Sequence, residues 1–213
     1  MSQNDLQDGY NRVAQEYARH IYDELQHKPL DRALLDRLRE TAHGPLCDLG
    51  CGPGQVARYL RDGGAEVFGV DLSDGMVAAA SQLNPDIHFE QGDMLALPLE
   101  DNSLAGIAAF YSIIHIPREQ RLTALREMYR VLQPGGMLLL SFHLGEADIH
   151  IDSWWEQPVS IDFLFFSRTE MEQALLEAGF QIVEVIVRPP YPDVEYQSQR
   201  AYLFAQKPPA PSP

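Results

Sequence analysis

A doubly wound α/β fold, with a mostly parallel sheet and helices on both faces, is predicted by three features of the 213-residue sequence. From residue 45 onward, short apolar runs alternate with segments of helical period, as strands and crossover helices do in a parallel sheet. The first of these runs ends in a glycine-rich turn, Asp48-Leu49-Gly50-Cys51-Gly52-Pro53-Gly54. The second ends in an acid, Asp71, at the place where such sheets present a carboxylate to a bound nucleoside.

The elements follow in order. Tyr10, Val13, Ala14, Tyr17 and Ile21 recur at helical spacing within residues 10–26, and Pro29 interrupts that run. A second helix is expected from about residue 30 to 41, with Leu34, Leu35 and Leu38 inward. Residues 45–50 read as a buried strand and its turn, and residues 55–61 as the next helix. Residues 65–71 read as a second strand, and Ser73 can cap a helix running to about residue 82. Strands are expected over residues 87–91 and 103–111, then a helix over 118–132. The Gln133-Pro134-Gly135-Gly136 stretch is expected to close that helix as a tight turn before a fifth strand at 137–143. Residues 144–168 break the rhythm. A helix near 169–178 and strands at 180–188 and 201–207 complete the domain, taken as residues 1–207. The proline-rich tail, residues 208–213, is expected to be disordered.

Composition narrows the function. The net charge is −15, and no cluster of Lys and Arg is present to neutralise phosphates, so nucleic-acid partners are not expected. A small-molecule acceptor fits better. The start, MSQNDLQDGY, has no signal-peptide character, and the longest apolar stretch, residues 104–116, is too short to span a bilayer as a helix. A cytoplasmic location and no membrane contact are the expectations, with the chain a monomer or homodimer. The two cysteines, Cys47 and Cys51, read as small buried residues beside the turn, not as a metal or redox pair.

The glycine turn carries the chemistry. Glycines between a strand and a helix let a ligand approach the backbone, and the free N–H groups of the helix start suit an anion. A dinucleotide fingerprint, Gly-x-Gly-x-x-Gly, would need its third glycine at position 55, which is Gln55. The sequence instead reads Asp48-x-Gly50-x-Gly52-x-Gly54. In this it resembles the class I S-adenosylmethionine-dependent methyltransferases. Further along, Val70-Asp71-Leu72-Ser73 with Met76, then Gly92-Asp93-Met94, Leu97-Pro98 and Asp101-Asn102-Ser103, resemble that family's later motifs. Leu132-Gln133-Pro134-Gly135-Gly136 and Glu177-Ala178-Gly179-Phe180 extend the resemblance, which spans about residues 8–207.

The resemblance implies a Rossmann-like, seven-stranded sheet with its last strand antiparallel, and S-adenosyl-L-methionine as cofactor, with S-adenosyl-L-homocysteine as product. By that likeness Gly50, Cys51, Gly52 and Gly54 would approach the methionine part and Asp48 its amino group. Asp71 would take the ribose hydroxyls and Asp93 the adenine amino group. Leu72, Met76, Met94 and Leu95 would flank the adenine. Tyr111 and Ser112 would face the methionine end, and Tyr17, on the N-terminal helix, would close over the cofactor. Residues 1–42 would form a helical lid, and residues 144–168 an insertion on the acceptor side. Tyr10, His143, Trp154, Trp155 and Phe165 are the expected acceptor contacts.

His115, just after the fourth strand, is the candidate general base for an O- or N-methyl acceptor. The acids and histidines from His143 to Asp152 have no helix-borne ligand spacing, so no metal is expected. Arg188 and Arg200 read as surface charges, with recognition of an acidic acceptor as the second reading. A nicotinamide-dependent oxidoreductase and a non-catalytic S-adenosylmethionine-binding sensor stay open as alternatives.

Overall fold

A computed structural model describes residues 2–210. The expectation for the tail lies largely outside these residues, since 211–213 are not described.

Helix α1 runs Gln3–Ile21, earlier than its apolar period suggests. The start is set by a capping box: Ser2 Oγ accepts from the Asp5 N–H, and the Asp5 carboxylate accepts from the Ser2 N–H. A short 3-10 turn, Glu24–His27, links it to α2, Pro29–Thr41. Pro29 begins that helix, because a first-turn residue needs no N–H donor.

The main sheet is built from β1 (Leu46–Leu49), β2 (Val67–Asp71), β3 (Phe89–Gln91), β4 (Leu104–Phe110), β5 (Leu132–Leu144), β8 (Gln181–Arg188) and β9 (Gln199–Gln206). Its order is β3-β2-β1-β4-β5-β9-β8. The pairs β1–β2, β1–β4, β2–β3 and β4–β5 are parallel, and β9 runs antiparallel to both β5 and β8. Helices α3 (Gln55–Asp62), α4 (Asp74–Leu83), α5 (Arg121–Val131) and α6 (Arg168–Glu177) complete the frame. On one face Leu125, Met128, Leu138, Phe142 and Phe166 pack with α5 and α6. On the other, Leu35, Leu38, Leu60, Leu139 and Phe204 pack with α2 and α3. The chain winds outward from β1 to β3 and then crosses to β4 on β1's other side. The strand order therefore reverses between β1 and β4, which opens a crevice at their C-terminal ends.

Two local readings change. The stretch 133–136 is not a turn between elements but lies within β5, where the register jumps from Leu104↔Leu132 to Gly106↔Met137. Gly135 N–H donates to Lys207 O and Lys207 N–H to Gly136 O, so the segment is held by the end of β9. Residues 144–168, without period in the sequence, contain a hairpin: β6 (Ile149–Trp154) pairs antiparallel with β7 (Gln157–Phe163). Val159 and Ile161 of β7 bury against Leu6 and Val13 of α1. Each such fully buried aliphatic side chain stabilises the docking by about 1.5–3 kcal/mol.

Candidate active site

The crevice deepens into a cavity of about 530 Å³. Its floor comes from the ends of β1, β2 and β4 and the turn after β3. Its roof comes from α1 and the hairpin, through Leu6, Tyr10, Tyr17, Trp154 and Phe163. Asn11 ties the roof down, because its Oδ1 accepts from the Ser73 hydroxyl (2.6 Å) and the Gly75 N–H (3.1 Å) at the start of α4.

The glycine turn needs its glycines for space as well as conformation. Gly50 has φ +72°, and a Cβ there would fall 2.2 Å from the Ser112 Cβ. Ser112 is fixed by donating its hydroxyl to Leu49 O at 2.8 Å. Gly52 has φ +53°, and a Cβ on it would project toward the cavity, with only Tyr17 Cε1 nearby at 3.7 Å. This glycine floor is a cradle that side chains would fill.

Three acids stand at strand ends around that floor. Asp48, at 2% exposure, accepts the Ala57 N–H at 2.9 Å and so joins β1 to α3. Burial pushes its carboxyl up to about 7. Asp71 accepts the Gly52 N–H (2.8 Å) through one oxygen and the Ser73 N–H (2.9 Å) through the other. Burial raises its pKa against those two hydrogen bonds. Asp93 accepts the Leu95 N–H at 2.8 Å. An ionised carboxylate has about four acceptor positions, so these bonds leave capacity for a ligand.

Of the sequence-predicted residues, Tyr17, Asp48, Gly50, Cys51, Gly52, Asp71, Leu72, Met76, Asp93, Met94, Leu95, Tyr111 and Ser112 line the cavity, as do Tyr10, His115, His143 and Trp154. Gly54, Trp155 and Phe165 do not. Gly54 caps α3 in the left-handed conformation. Trp155 stacks outside on His20 (4.9 Å) and on Trp154 (4.8 Å). Phe165 lies behind His143 at 5.2 Å, and Phe163 takes the cavity-lining position instead. β7 ends at Phe163, so the two-residue alternation of the strand no longer sets the direction of Phe165 beyond it.

Arg188 and Arg200 correct a further reading. They are 8% and 2% exposed, not surface charges, and Arg200 lines the cavity. Lys28, Glu24, Glu195 and Tyr196 also line it and were not singled out in the sequence. Lys28 left one trace there: lysine is a poor N-cap, yet it stands directly before Pro29 at the start of α2. The His143–Asp152 cluster is used up locally. Asp148 holds Arg118 (2.8 Å) and the Phe165 N–H (2.9 Å), and His150 lies between Asp162 and Asp152. Among the described residues no group of three His, Cys, Asp or Glu could hold a metal ion. Cys47 and Cys51 are buried and unpaired.

His115 is held from both sides. Its Nδ1 lies 2.9 Å from the Asp162 carbonyl oxygen, and its Nε2 lies 2.7 Å from the Tyr10 hydroxyl. A carbonyl oxygen only accepts, so the proton sits on Nδ1, and Nε2 accepts from Tyr10. Burial pushes the imidazole down to about 4. Burial, with Arg200 and Lys28 adding to it, takes His143 to about 3.

A doubly wound sheet with a glycine floor and strand-end acids at its switch point is the architecture of proteins that hold a nucleoside cofactor. In sequence and in fold the chain is similar to the class I S-adenosylmethionine-dependent methyltransferases. Residues 46–136 match the family described as "Methyltransferase domain". A malonyl-[acyl-carrier protein] O-methyltransferase of Enterobacter lignolyticus is 33% identical over 170 residues, covering 78% of this chain and 65% of that protein. A demethylmenaquinone methyltransferase of Beutenbergia cavernae is 34% identical over 110 residues, 52% of this chain and 45% of that protein. The chain thus spans about half to two thirds of the relatives it matches. Among solved structures, the magnesium protoporphyrin IX methyltransferase of Synechocystis PCC 6803 with bound S-adenosylmethionine superposes with a TM-score of 0.72 at 19% identity, covering 96% of both chains. The cofactor of this class is S-adenosylmethionine, and the Gly50–Gly52 cradle and the strand-end acids suit it.

Two measurements probe this floor. Asp71→Asn removes a charged acceptor and is expected to weaken binding of S-adenosylhomocysteine by roughly 10- to 100-fold in calorimetry. Asp48→Asn is expected to stabilise the cofactor-free protein at pH 8. The Asp48 pKa is raised on folding, so its ionisation opposes folding. Stability is fully present below about pH 4 and falls as pH rises to about 7. The asparagine keeps the bond to Ala57 without the charge. Denaturant melts should show a gain on the order of 2–4 kcal/mol at pH 8 and none at pH 4.

Proposed function

We propose that the chain transfers a methyl group to an oxygen or nitrogen of a small-molecule acceptor, with His115 as general base and α1 with the hairpin as its lid. The carrying observation is the fixed tautomer of His115. Its Nδ1–H points to Asp162 O, and its Nε2 lone pair faces the cavity, where the Tyr10 hydroxyl now occupies it. An acceptor hydroxyl at the same distance takes that place and gives its proton to Nε2 as the new bond to carbon forms. The Asp162 carbonyl then faces the N–H of an imidazolium, which it favours. When bound, S-adenosylmethionine would supply the methyl group, activated on a sulfonium whose loss of methyl gives a neutral thioether.

The chain's other residues position and exclude water. Trp154, Tyr10 and Tyr17 meet edge to face, with ring centroids 5.5–6.0 Å apart, and close the roof over the glycine floor. A dry, shaped site is where alignment of the reacting atoms contributes most. Similarity to the malonyl-[acyl-carrier protein] and demethylmenaquinone enzymes supports a small acceptor group. In our reading residues 1–207 act as one domain, with residues 1–42 as the lid and 144–168 on the acceptor side. No helix among the described residues is long and apolar enough to cross a membrane.

The test is transfer of labelled methyl from S-adenosylmethionine to a panel of phenols, carboxylic acids and amines. Tight donor binding with no transfer to any of them would favour a sensor and sink the proposal. Because His115 titrates near 4, kcat/KM is expected to be flat above about pH 5 and to fall only toward pH 4. An acid limb near 6.5 would place the base elsewhere.

A further inference from the structure

One wall of the cavity is built of buried charge that the transfer chemistry does not use. Lys28 Nζ lies 2.6 Å from Glu24 Oε2 and 3.5 Å from Glu195 Oε2. Arg188 Nη2 lies 3.1 Å from Asp31 Oδ1, and its Nη1 pairs with Glu195. Arg200 Nε lies 2.9 Å from Glu195 Oε2 without hydrogen-bond alignment, while its Nη1 donates to the carbonyls of Tyr196 and Ser198. Both Lys28 and Arg200 stand over the Tyr111 ring, at 5.7 and 5.5 Å from its centroid.

The side chains of Lys28, Arg188, Arg200, Asp31 and Glu195 are all 8% exposed or less. Three cations therefore face two carboxylates, leaving one positive charge in excess in a desolvated place. An uncompensated buried charge is costly. Glu24, whose side chain is 21% exposed and sits on the 3-10 turn after α1, supplies the missing negative charge from the cavity side. His143 borders the same wall and is neutral, so it adds none.

We propose that the acceptor carries a carboxylate, and that Arg200 and Lys28 seat it by taking over the role of Glu24. The inference rests on the reading that this cavity takes a methyl donor and a small acceptor together. A single carboxylate matches the one-charge surplus, whereas a phosphate dianion would overshoot it. Arginine presents planar paired donors suited to a carboxylate, and Arg200 Nε is not otherwise hydrogen-bonded among the described residues. The carboxylate of the donor's methionine part is the other possible source, and the test separates the two.

The full chain is saturated with S-adenosylhomocysteine and titrated with 4-hydroxybenzoate and with its neutral amide, 4-hydroxybenzamide. Fluorescence of Trp154 in the cavity wall, with Trp155 beside it, reports binding. The acid is expected to bind about tenfold more tightly than the amide, as one charge-assisted contact would give. Arg200→Gln should bring the two within about twofold, and Glu24→Gln, which removes the competing carboxylate, should widen the gap. Equal affinities in the unaltered protein would overturn the proposal, as would a preference that survives Arg200→Gln or shrinks in Glu24→Gln. If Arg200→Gln weakens S-adenosylhomocysteine but not methylthioadenosine, which lacks the amino-acid tail, the wall serves the donor and the proposal fails. If it weakens both, the variant is misfolded and Glu24→Gln decides alone. The readout is equilibrium binding without turnover, so failure of His115 as base would leave it standing.

Discussion

His115→Ala is expected to lower kcat by about 10²- to 10⁴-fold, the range a positioned general base supplies, with little change in affinity for the methyl donor. The expectation follows from where the imidazole is held. Its Nδ1 bond to the Asp162 carbonyl is made by backbone, so it does not depend on a neighbour's protonation. Its Nε2 faces the cavity beyond β4, across β1 from Asp71 and Asp93 in the strand order. Removing it leaves the glycine cradle and the strand-end acids intact. Isothermal calorimetry with S-adenosylhomocysteine should therefore match the unaltered protein, while single-turnover transfer slows. Tyr10→Phe is the companion variant. It leaves the Nε2 lone pair without its donor but keeps the ring packing of the roof, so its effect on kcat should be much smaller. Unchanged transfer in His115→Ala would take His115 out of the mechanism.

Gly50→Ala is the second large effect, and it acts on the fold and on cofactor binding together. The residue combines a left-handed backbone, φ +72°, with a neighbour that a methyl group would overlap, the Ser112 Cβ at 2.2 Å. Ser112 cannot retreat without giving up its bond to Leu49 O. Strain of this kind costs about 1–3 kcal/mol for the backbone and a similar amount for overpacking. Denaturant melts should show a loss of about 2–5 kcal/mol, and donor binding should become undetectable. The double variant Gly50→Ala with Ser112→Gly should recover part of the stability, because it removes the clash and leaves only the backbone term. No recovery would mean that the conformation alone, and not the contact, demands glycine there.

The order of the sheet was legible because its determinants are local. A buried four-residue strand, a glycine turn and an acid at the end of the next strand are each read within a few residues, and the handedness of βαβ crossovers leaves few ways to assemble them. The same holds for the floor of the cavity. Asp48, Gly50, Gly52, Asp71 and Asp93 all sit at strand ends, so the topology gathers them without further information. Gln55 separated this turn from the dinucleotide pattern for the same local reason.

The roof that α1 and the hairpin make was much less legible. The hairpin at Ile149–Phe163 is stabilised by Leu6 and Val13 of α1, which lie about 150 residues away, and its own alternation is blurred by a register shift between Ile151 and Ser153. Trp154 and Trp155 look equivalent in sequence, yet the turn between the two strands sends one into the cavity and the other onto His20. Arg188 and Arg200 resembled solvated charges because their partners, Asp31 and Glu195, are distant or in the intervening loop.

The sequence by itself determined the fold class, the class of cofactor and the strand-end residues that line the cavity, since each of these depends on spacing within a single βα unit. Tertiary structure alone decided the rest: the Tyr10 hydroxyl on His115 Nε2 across 105 residues, the roof that α1 and the hairpin make together, and the charge surplus of the Lys28–Arg200 wall. Those features are sums over groups brought together only when the sheet closes. A pattern along the chain carries periodicity and turn chemistry, but not the burial and pairing that give a side chain its charge and its partner.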